Sequence, residues 1–218
     1  MPDTTNGGTD SLDGGNGSDW IFGGGGNDTI FGNESDDTLA DADLLVGDGG
    51  GDTINGNDGN DTIYGDKAPT DFYNGSIPGS LDGFDRSAGS ADSLTGGSGA
   101  DIIFGGGGND TIAGNSESDL LIGDAGNDQI VGGDGSDTLD GYTGADTLFG
   151  EGGSDIYLQN ITGITTIDEN LYASADDSII INADVSTATK TYTYDTTEVS
   201  NDLTVTINGD ATSEGSTA

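Results

Sequence analysis

The sequence predicts an all-β chain: a parallel β-roll, a solenoid of the β-helix kind, followed by a C-terminal β-strand segment. Three observations lead there. A nine-residue phrase, G-G-x-G-x-D-x-U-x with U aliphatic, starts at Gly14, Gly23, Gly47 and Gly56, then runs without interruption from Gly96, Gly105, Gly114, Gly123, Gly132, Gly141 and Gly150. Each phrase carries one large apolar residue at its eighth position, and the tail beyond residue 158 gives up glycine for alternating Thr, Ile and Tyr. Short, fixed-period self-similarity is the mark of stacked-repeat architectures, in which each unit buries its apolar side against its neighbours.

Along the chain, residues 1–13 read as an N-terminal lead and residues 14–66 as a first roll block. Residues 96–158 form a second block. Residues 14–32 align with 96–114 at a constant offset of 82, IFGGGGNDTI recurring in both, which reads as tandem duplication. The first block carries an expansion within 36–43, where SDDTLADAD stands against SESD in the second. Residues 67–95, with Lys67, Pro69, Pro78 and Arg86, read as an inserted connector, a long excursion from one turn. Residues 159–218 form a strand-rich capping segment whose runs at 190–194 and 202–207 alternate as strands do.

Each repeat divides into a six-residue turn and a three-residue strand. Glycines at positions 1, 2 and 4 permit positive φ and let stacked backbones approach closely. Position 8 is Ile21, Ile30, Ile54, Ile63, Ile103, Ile112, Leu121, Ile130, Leu139 and Leu148, with Tyr157 closing the array. Strand side chains alternate, so position 8 points one way while 7 and 9 point the other. Two consecutive repeats then make one coil, with their position-8 residues meeting inside. One buried aliphatic contributes roughly 1.5–3 kcal/mol, against an ordering cost of about 1–2 kcal/mol for every residue. Such a core cannot hold the coil closed alone.

Composition narrows the functions. Forty-one acidic residues face three basic ones, Lys67, Arg86 and Lys190, for a net charge of −38. Low hydrophobicity with high charge is the usual sign of disorder, yet the strict spacing of Gly and Asp argues for a fold. A polyanion does not hold phosphate backbones, so nucleic acid is excluded as a direct partner, and the natural partners are cations. With no Cys and no His, thiolate metal sites, zinc-protease motifs and the commonest general base are absent. No G-x-S-x-G accompanies a base, and the chain reads as no enzyme. Gly23–Gly26 lacks the Lys and helix of a phosphate loop, and no twelve-residue loop has the ligand spacing of an EF-hand. Triplets such as Asn27-Asp28-Thr29 match a glycosylation acceptor only because the repeat generates them. No apolar run approaches membrane-spanning length, and the opening MPDTTNGGTD is no signal peptide.

The remaining support lies at the turns. Position-6 aspartates recur along each edge of the roll at every second repeat: Asp101, Asp119, Asp137 and Asp155 on one edge of the second block, Asp110, Asp128 and Asp146 on the other. Stacked carboxylates repel one another unless a cation lies between them. Carboxylates together with turn carbonyls make an all-oxygen set of the kind Ca²⁺ takes, whereas Mg²⁺ prefers a small octahedron and keeps its waters. The phrase also resembles the haemolysin-type calcium-binding repeats of RTX proteins, over residues 14–66 and 96–158. That resemblance implies a right-handed roll with calcium-bound turns, and a protein of the cell exterior or cell surface exported by bacterial type I secretion without an N-terminal signal peptide. The expected calcium-holding aspartates are Asp19, Asp28, Asp37, Asp43, Asp52, Asp61, Asp92, Asp101, Asp110, Asp119, Asp128, Asp137, Asp146 and Asp155. The glycines expected to belong to the same metal sites are Gly14, Gly23, Gly47, Gly56, Gly96, Gly105, Gly114, Gly123, Gly132 and Gly141.

Positions 7 and 9 add a further expectation. One strand row reads Trp20/Phe22, Leu44/Val46, Thr62/Tyr64, Ile102/Phe104, Leu120/Ile122, Thr138/Asp140 and Ile156/Leu158, and the opposite row is mostly Thr. One outer face is therefore apolar and expected to be covered, most simply by the two blocks packing on each other after the connector reverses the chain. The function that follows is a secreted, calcium-binding structural module that folds on meeting extracellular Ca²⁺. The alternatives are a self-assembling surface or filament protein, joined through apolar faces or roll ends, and a fragment of a larger RTX adhesin, toxin or enzyme.

Overall fold

A computed structural model describes residues 8–33, 41–66, 89–160, 166–167, 178–182 and 204–208. Expectations that fall on other residues, among them Asp37, lie outside the described residues. No helix occurs among the described residues, and none of them therefore forms a helix long and apolar enough to cross a membrane.

The strands alternate between two parallel sheets, as a coil of two repeats requires. One sheet takes β1 (Ser11–Asp13), β3 (Thr29–Phe31), β5 (Thr53–Asp58), β7 (Ser93–Ser98), β9 (Thr111–Ser116), β11 (Gln129–Asp134), β13 (Thr147–Gly152) and β15 (Thr166–Ile167), in that spatial order. The other takes β2 (Trp20–Gly25), β4 (Leu44–Gly49), β6 (Thr62–Asp66), β8 (Ile102–Gly107), β10 (Leu120–Ala125), β12 (Thr138–Asp140) and β14 (Ile156–Asn160). It continues into β16 (Ser178–Asn182) and β17 (Thr204–Asn208), so the tail adds strands to the same ladder. The fold is a parallel β-roll.

Register follows the repeat phase. Leu121 of β10 lies between Ile103 of β8 and Leu139 of β12, position 8 against position 8. The inward row is a single file of fully buried aliphatics from Ile30 to Leu148, closed by Tyr157. The structure adds Leu45 and Leu94 to that file, with Leu12 and Ile21 packed against its start. Leu12 belongs because Asp10-Ser11-Leu12 repeats the D-x-U step, and β1 pairs with β3 ahead of the first full glycine phrase.

The two repeat stretches do not fold back on one another. β6 pairs with β8, Ile63 against Ile103 and Tyr64 against Phe104, while β5 pairs with β7, Ile54 against Leu94. The ladder runs straight through the joint, so the expected reversal and block-on-block packing are not found. The physical reason is continuity of period: stacking end to end prolongs both the aliphatic file and the backbone ladders at every coil, whereas reversal would leave two open ends. β7 begins at Ser93, within the stretch read as connector, because Asp92-Ser93-Leu94 again carries the D-x-U step.

The apolar outer face divides in two. At position 9, Val46, Tyr64, Phe104 and Ile122 are buried, Phe22 is half-buried, and the rings of Tyr64 and Phe104 stack at 5.0 Å across the joint. At position 7, Leu44 is buried and Leu120 half-buried, but Trp20 is 54% exposed, and Ile102 and Ile156 are also exposed. The expected covering is met along one row and not along the other.

Candidate metal centre

The turns are built from a fixed sequence of backbone conformations. Positions 2 and 4 take positive φ in turn after turn, Gly24 at 97° and Gly26 at 126° for example. The conformation persists where the residue is not glycine: Asp48 at 76°, Asn57 at 72°, Asn115 at 81° and Asp124 at 70° fill position 2, and Glu117 at 76° fills position 4. Asn and Asp tolerate the left-handed region better than other side chains do. Position 1 differs from the sequence expectation. Its glycines, Gly14, Gly23, Gly47, Gly56, Gly96, Gly105, Gly114, Gly123, Gly132 and Gly141, do not adopt positive φ. They are needed for space. A Cβ at Gly23 would meet Oδ2 of Asp28 at 2.5 Å and the Gly47 carbonyl at 2.9 Å, and a Cβ at Gly105 would strike Oδ2 of Asp110 and the Gly123 carbonyl.

This space receives the position-6 carboxylate of the same turn. One edge of the roll carries Asp28, Asp52, Asp92, Asp110, Asp128 and Asp146. The other carries Asp19, Asp43, Asp61, Asp101, Asp119, Asp137 and Asp155. On both edges the backbone N–H of each aspartate donates to Oδ1 of the aspartate one coil on: Asp101 to Asp119 at 2.8 Å, Asp119 to Asp137 at 2.9 Å, Asp92 to Asp110 at 2.9 Å, Asp110 to Asp128 at 2.9 Å. The ladder survives every interruption of the repeat. Asp28 reaches Asp52 over 24 residues, six more than one coil, which accounts for the expansion seen in sequence. Asp52 reaches Asp92, and Asp61 reaches Asp101, over 40 residues. At position 5 a second ladder runs in the opposite direction, the N–H of Asn127 donating to Oδ1 of Asn109 and that of Ala145 to Oδ1 of Asn127.

With Oδ1 engaged, Oδ2 is the informative atom. In eleven position-6 aspartates, from Asp19 and Asp28 to Asp128 and Asp137, it is buried without a hydrogen-bond partner. Buried polar atoms are nearly always satisfied, and leaving a charged one unsatisfied is expensive. Burial accordingly pushes the carboxyls of Asp52, Asp110, Asp119 and Asp137 up to about 6, from an ordinary 3.8. Asp61 rises to about 7, and Asp92, Asp101 and Asp128 to about 8; Asp43 is raised as well. In each the backbone N–H pulls the other way and neighbouring carboxylates add to the rise. The pattern recurs turn after turn, so it is a property of the repeat and not of one site.

The chain contains matches to the RTX calcium-binding nonapeptide repeat in four copies, over residues 4–39, 40–67, 88–121 and 122–157. It belongs to that family. No curated protein matches the chain. The four RTX copies pass over residues 68–87 and begin again at 88, close to Gly89, where the described roll resumes.

RTX repeats bind Ca²⁺, and the residues present fit that ion. Orphaned Oδ2 atoms are hard anionic oxygens, and turn carbonyls of adjoining coils crowd the same place against the position-1 glycines. Among the described residues no three carboxylates converge on one point. Carbonyl oxygens must therefore supply much of any coordination shell. Sequence reasoning passed over Asp10, whose N–H donates to Oδ1 of Asp28 at 2.8 Å, and the position-2 acids Asp48, Asp66 and Asp124. All three acids follow a position-1 glycine directly, a signal hidden by treating position 2 as glycine. It also missed Asn33, whose Nδ2 donates to the Asp58 carbonyl at 2.8 Å and so stitches two turns by an amide.

Proposed function

We propose that this RTX chain is a calcium-folded structural module of the cell exterior, in which each pair of position-6 aspartates on one edge serves an ion lying between consecutive turns. The single observation that carries the reading is the recurrent buried Oδ2 without a hydrogen-bond partner. A folded chain holding so many unsatisfied, repelling carboxylates is unstable at neutral pH, and a divalent cation satisfies and neutralises them together. Metal binding and folding then become one event. Millimolar extracellular calcium suits weak, numerous sites of this type. Export unfolded, by type I secretion, fits a chain that closes only after meeting the ion.

Far-ultraviolet circular dichroism tests this. The spectrum should turn from coil-like to β as Ca²⁺ rises through ~0.1–1 mM, the range of extracellular modules, and a chelator should reverse it. A β spectrum indifferent to excess chelator overturns the reading. A second reading, self-association through the sheet that holds β2 and β8, is favoured by the exposure of Trp20, Ile102 and Ile156 along its position-7 row. Light scattering in calcium should then show a mass above that of one chain.

A further inference from the structure

Two turns of the roll are assembled from separate pieces of chain, Gly32 and Asn33 with residues 41–43 in one, and the other has the longer interruption. Gly65 and Asp66 supply its first two positions, and Gly89, Ser90, Ala91 and Asp92 supply the rest, with residues 67–88 running between the two pieces. The coil geometry confirms the assignment. A Cβ on Gly65 would strike Oδ2 of Asp92, just as one on Gly105 would strike Oδ2 of Asp110 in the next, unbroken turn. Ser90 stands under Gly108 where Gly108 in turn stands under Gly126. Asp92 keeps its place in the edge ladder, accepting from Asp52 N–H at 2.7 Å and donating to Asp110 at 2.9 Å.

Closing this turn also brings together Asp66 and Gly89, which stand far apart in sequence, an entropic cost that the unbroken turns do not carry. Carboxylates concentrate at the same place. Asp66 is buried, sits in register with Asp48 of the preceding coil, and accepts the Gly107 N–H of the following coil through Oδ2 at 2.7 Å. Its charge acts on Asp52, Asp92 and Asp110. Independently of that clustering, Oδ2 of Asp92 and Oδ2 of Asp110 are buried there without hydrogen-bond partners. In the turns before and after the acidic pair, position 2 is Gly24 and Gly106, which add no charge.

We propose that the split turn is a cation clasp, in which a divalent cation at Asp92, with Asp66 supplying additional negative charge, joins the two chain segments and couples the roll on either side of the joint. The inference rests on the calcium reading above and adds a residue, Asp66, and a role that the repeat itself does not specify. Charge count is a main determinant of calcium affinity in oxygen sites. The clasp therefore offsets a local entropic cost with a locally stronger site.

Hydrogen exchange read by mass spectrometry during calcium titration of the full chain tests it. In Asp66→Asn, peptides containing residues 89–111 should need about tenfold more calcium for protection, the scale of removing one charge near a divalent ion. Peptides over residues 128–147 should protect at the parent's calcium concentration. Asp66→Glu, which keeps the charge, should stay close to the parent at both places. Asp134→Asn removes the same net charge from an exposed position on the other edge and should move neither. An Asp66→Asn variant that shifts all coils equally, or none, overturns the clasp, as does an Asp66→Glu variant as impaired as Asp66→Asn. A parent chain whose exchange ignores calcium everywhere refutes the underlying calcium reading instead.

Discussion

Asp119→Asn should move the metal-free and the calcium-loaded roll in opposite directions. Asp119 accepts the Asp101 N–H through Oδ1 at 2.8 Å, and its other oxygen is buried without a hydrogen-bond partner. An asparagine keeps an acceptor at Oδ1, removes the charge, and places a donating NH2 where Oδ2 stood, beside the turn carbonyls. Burial raises the Asp119 carboxyl from 3.8 to about 6. Because the folded value is the higher one, its stabilising contribution is complete below about pH 4 and is lost as pH rises through about 6. At pH 7 the ionised group thus costs the metal-free roll on the order of 2–3 kcal/mol, a large part of a typical stability of about 5–15 kcal/mol. Asparagine removes that cost. In chelator, the β signal of the parent should fade as pH is raised from about 4 towards 8, and the variant should hold it to higher pH. In calcium the order reverses, the variant needing severalfold more ion, because a carboxylate shared with the turns of Asp101 and Asp137 is gone. A variant less stable than the parent under both conditions would refute the argument, since it would make Asp119 an ordinary structural hydrogen-bonding residue.

Other outcomes follow from the same geometry. Asp119→Ala, interior to the stack, should raise the calcium midpoint more than Asp155→Ala at the end of the repeat array, because losing an interior turn uncouples two neighbours; equal midpoints would contradict the shared arrangement. Calcium titrated by calorimetry in buffers of different ionisation enthalpy should release protons at about pH 5, where the metal-free roll still holds and Asp92, Asp101 and Asp128, raised to about 8 by burial, are protonated, and the release should vanish at neutral pH, where the metal-free chain is unfolded and its carboxylates are ionised. Gly105→Ala should destabilise the calcium-loaded roll although its φ is ordinary, since its new methyl meets the Asp110 carboxylate and the Gly123 carbonyl; unchanged thermal unfolding would show the cradle to be slack. Phe104→Ser should lower the melting temperature through loss of the Tyr64 stack and a buried ring, at about 3–5 kcal/mol, while leaving the calcium midpoint of coils beyond Asp128 nearly unchanged.

Much of this arrangement is legible in the sequence. The nine-residue phase placed Ile103, Leu121 and Leu139 inside and the position-6 aspartates on two edges, because one residue in nine repeating so strictly admits a single stacking register. What sequence could not show depends on contacts between coils. Position-1 glycines look like the glycines at 2 and 4, yet their reason is the neighbouring Oδ2 and carbonyl, which only stacking brings close. The pairing of Thr53 with Ser93 and of Thr62 with Ile102 spans the whole interval of sequence after Asp66, and no local pattern crosses it. Leu12, Leu94 and Asp66 were obscured for a related cause: each belongs to a turn or strand whose glycine phrase is incomplete, so the backbone ladder and not the motif identifies them.

In the proposed arrangement the buried position-6 carboxylates hold calcium between turns. Anomalous diffraction from crystals of the full chain grown in calcium tests it most directly. Rows of anomalous peaks should run along both edges, one between successive turns and each within about 2.3–2.6 Å of a position-6 carboxylate oxygen, with a peak at Asp92 in the split turn. Peaks confined to exposed acids such as Glu117 and Asp134, with the buried aspartates bound to no ion, would contradict it.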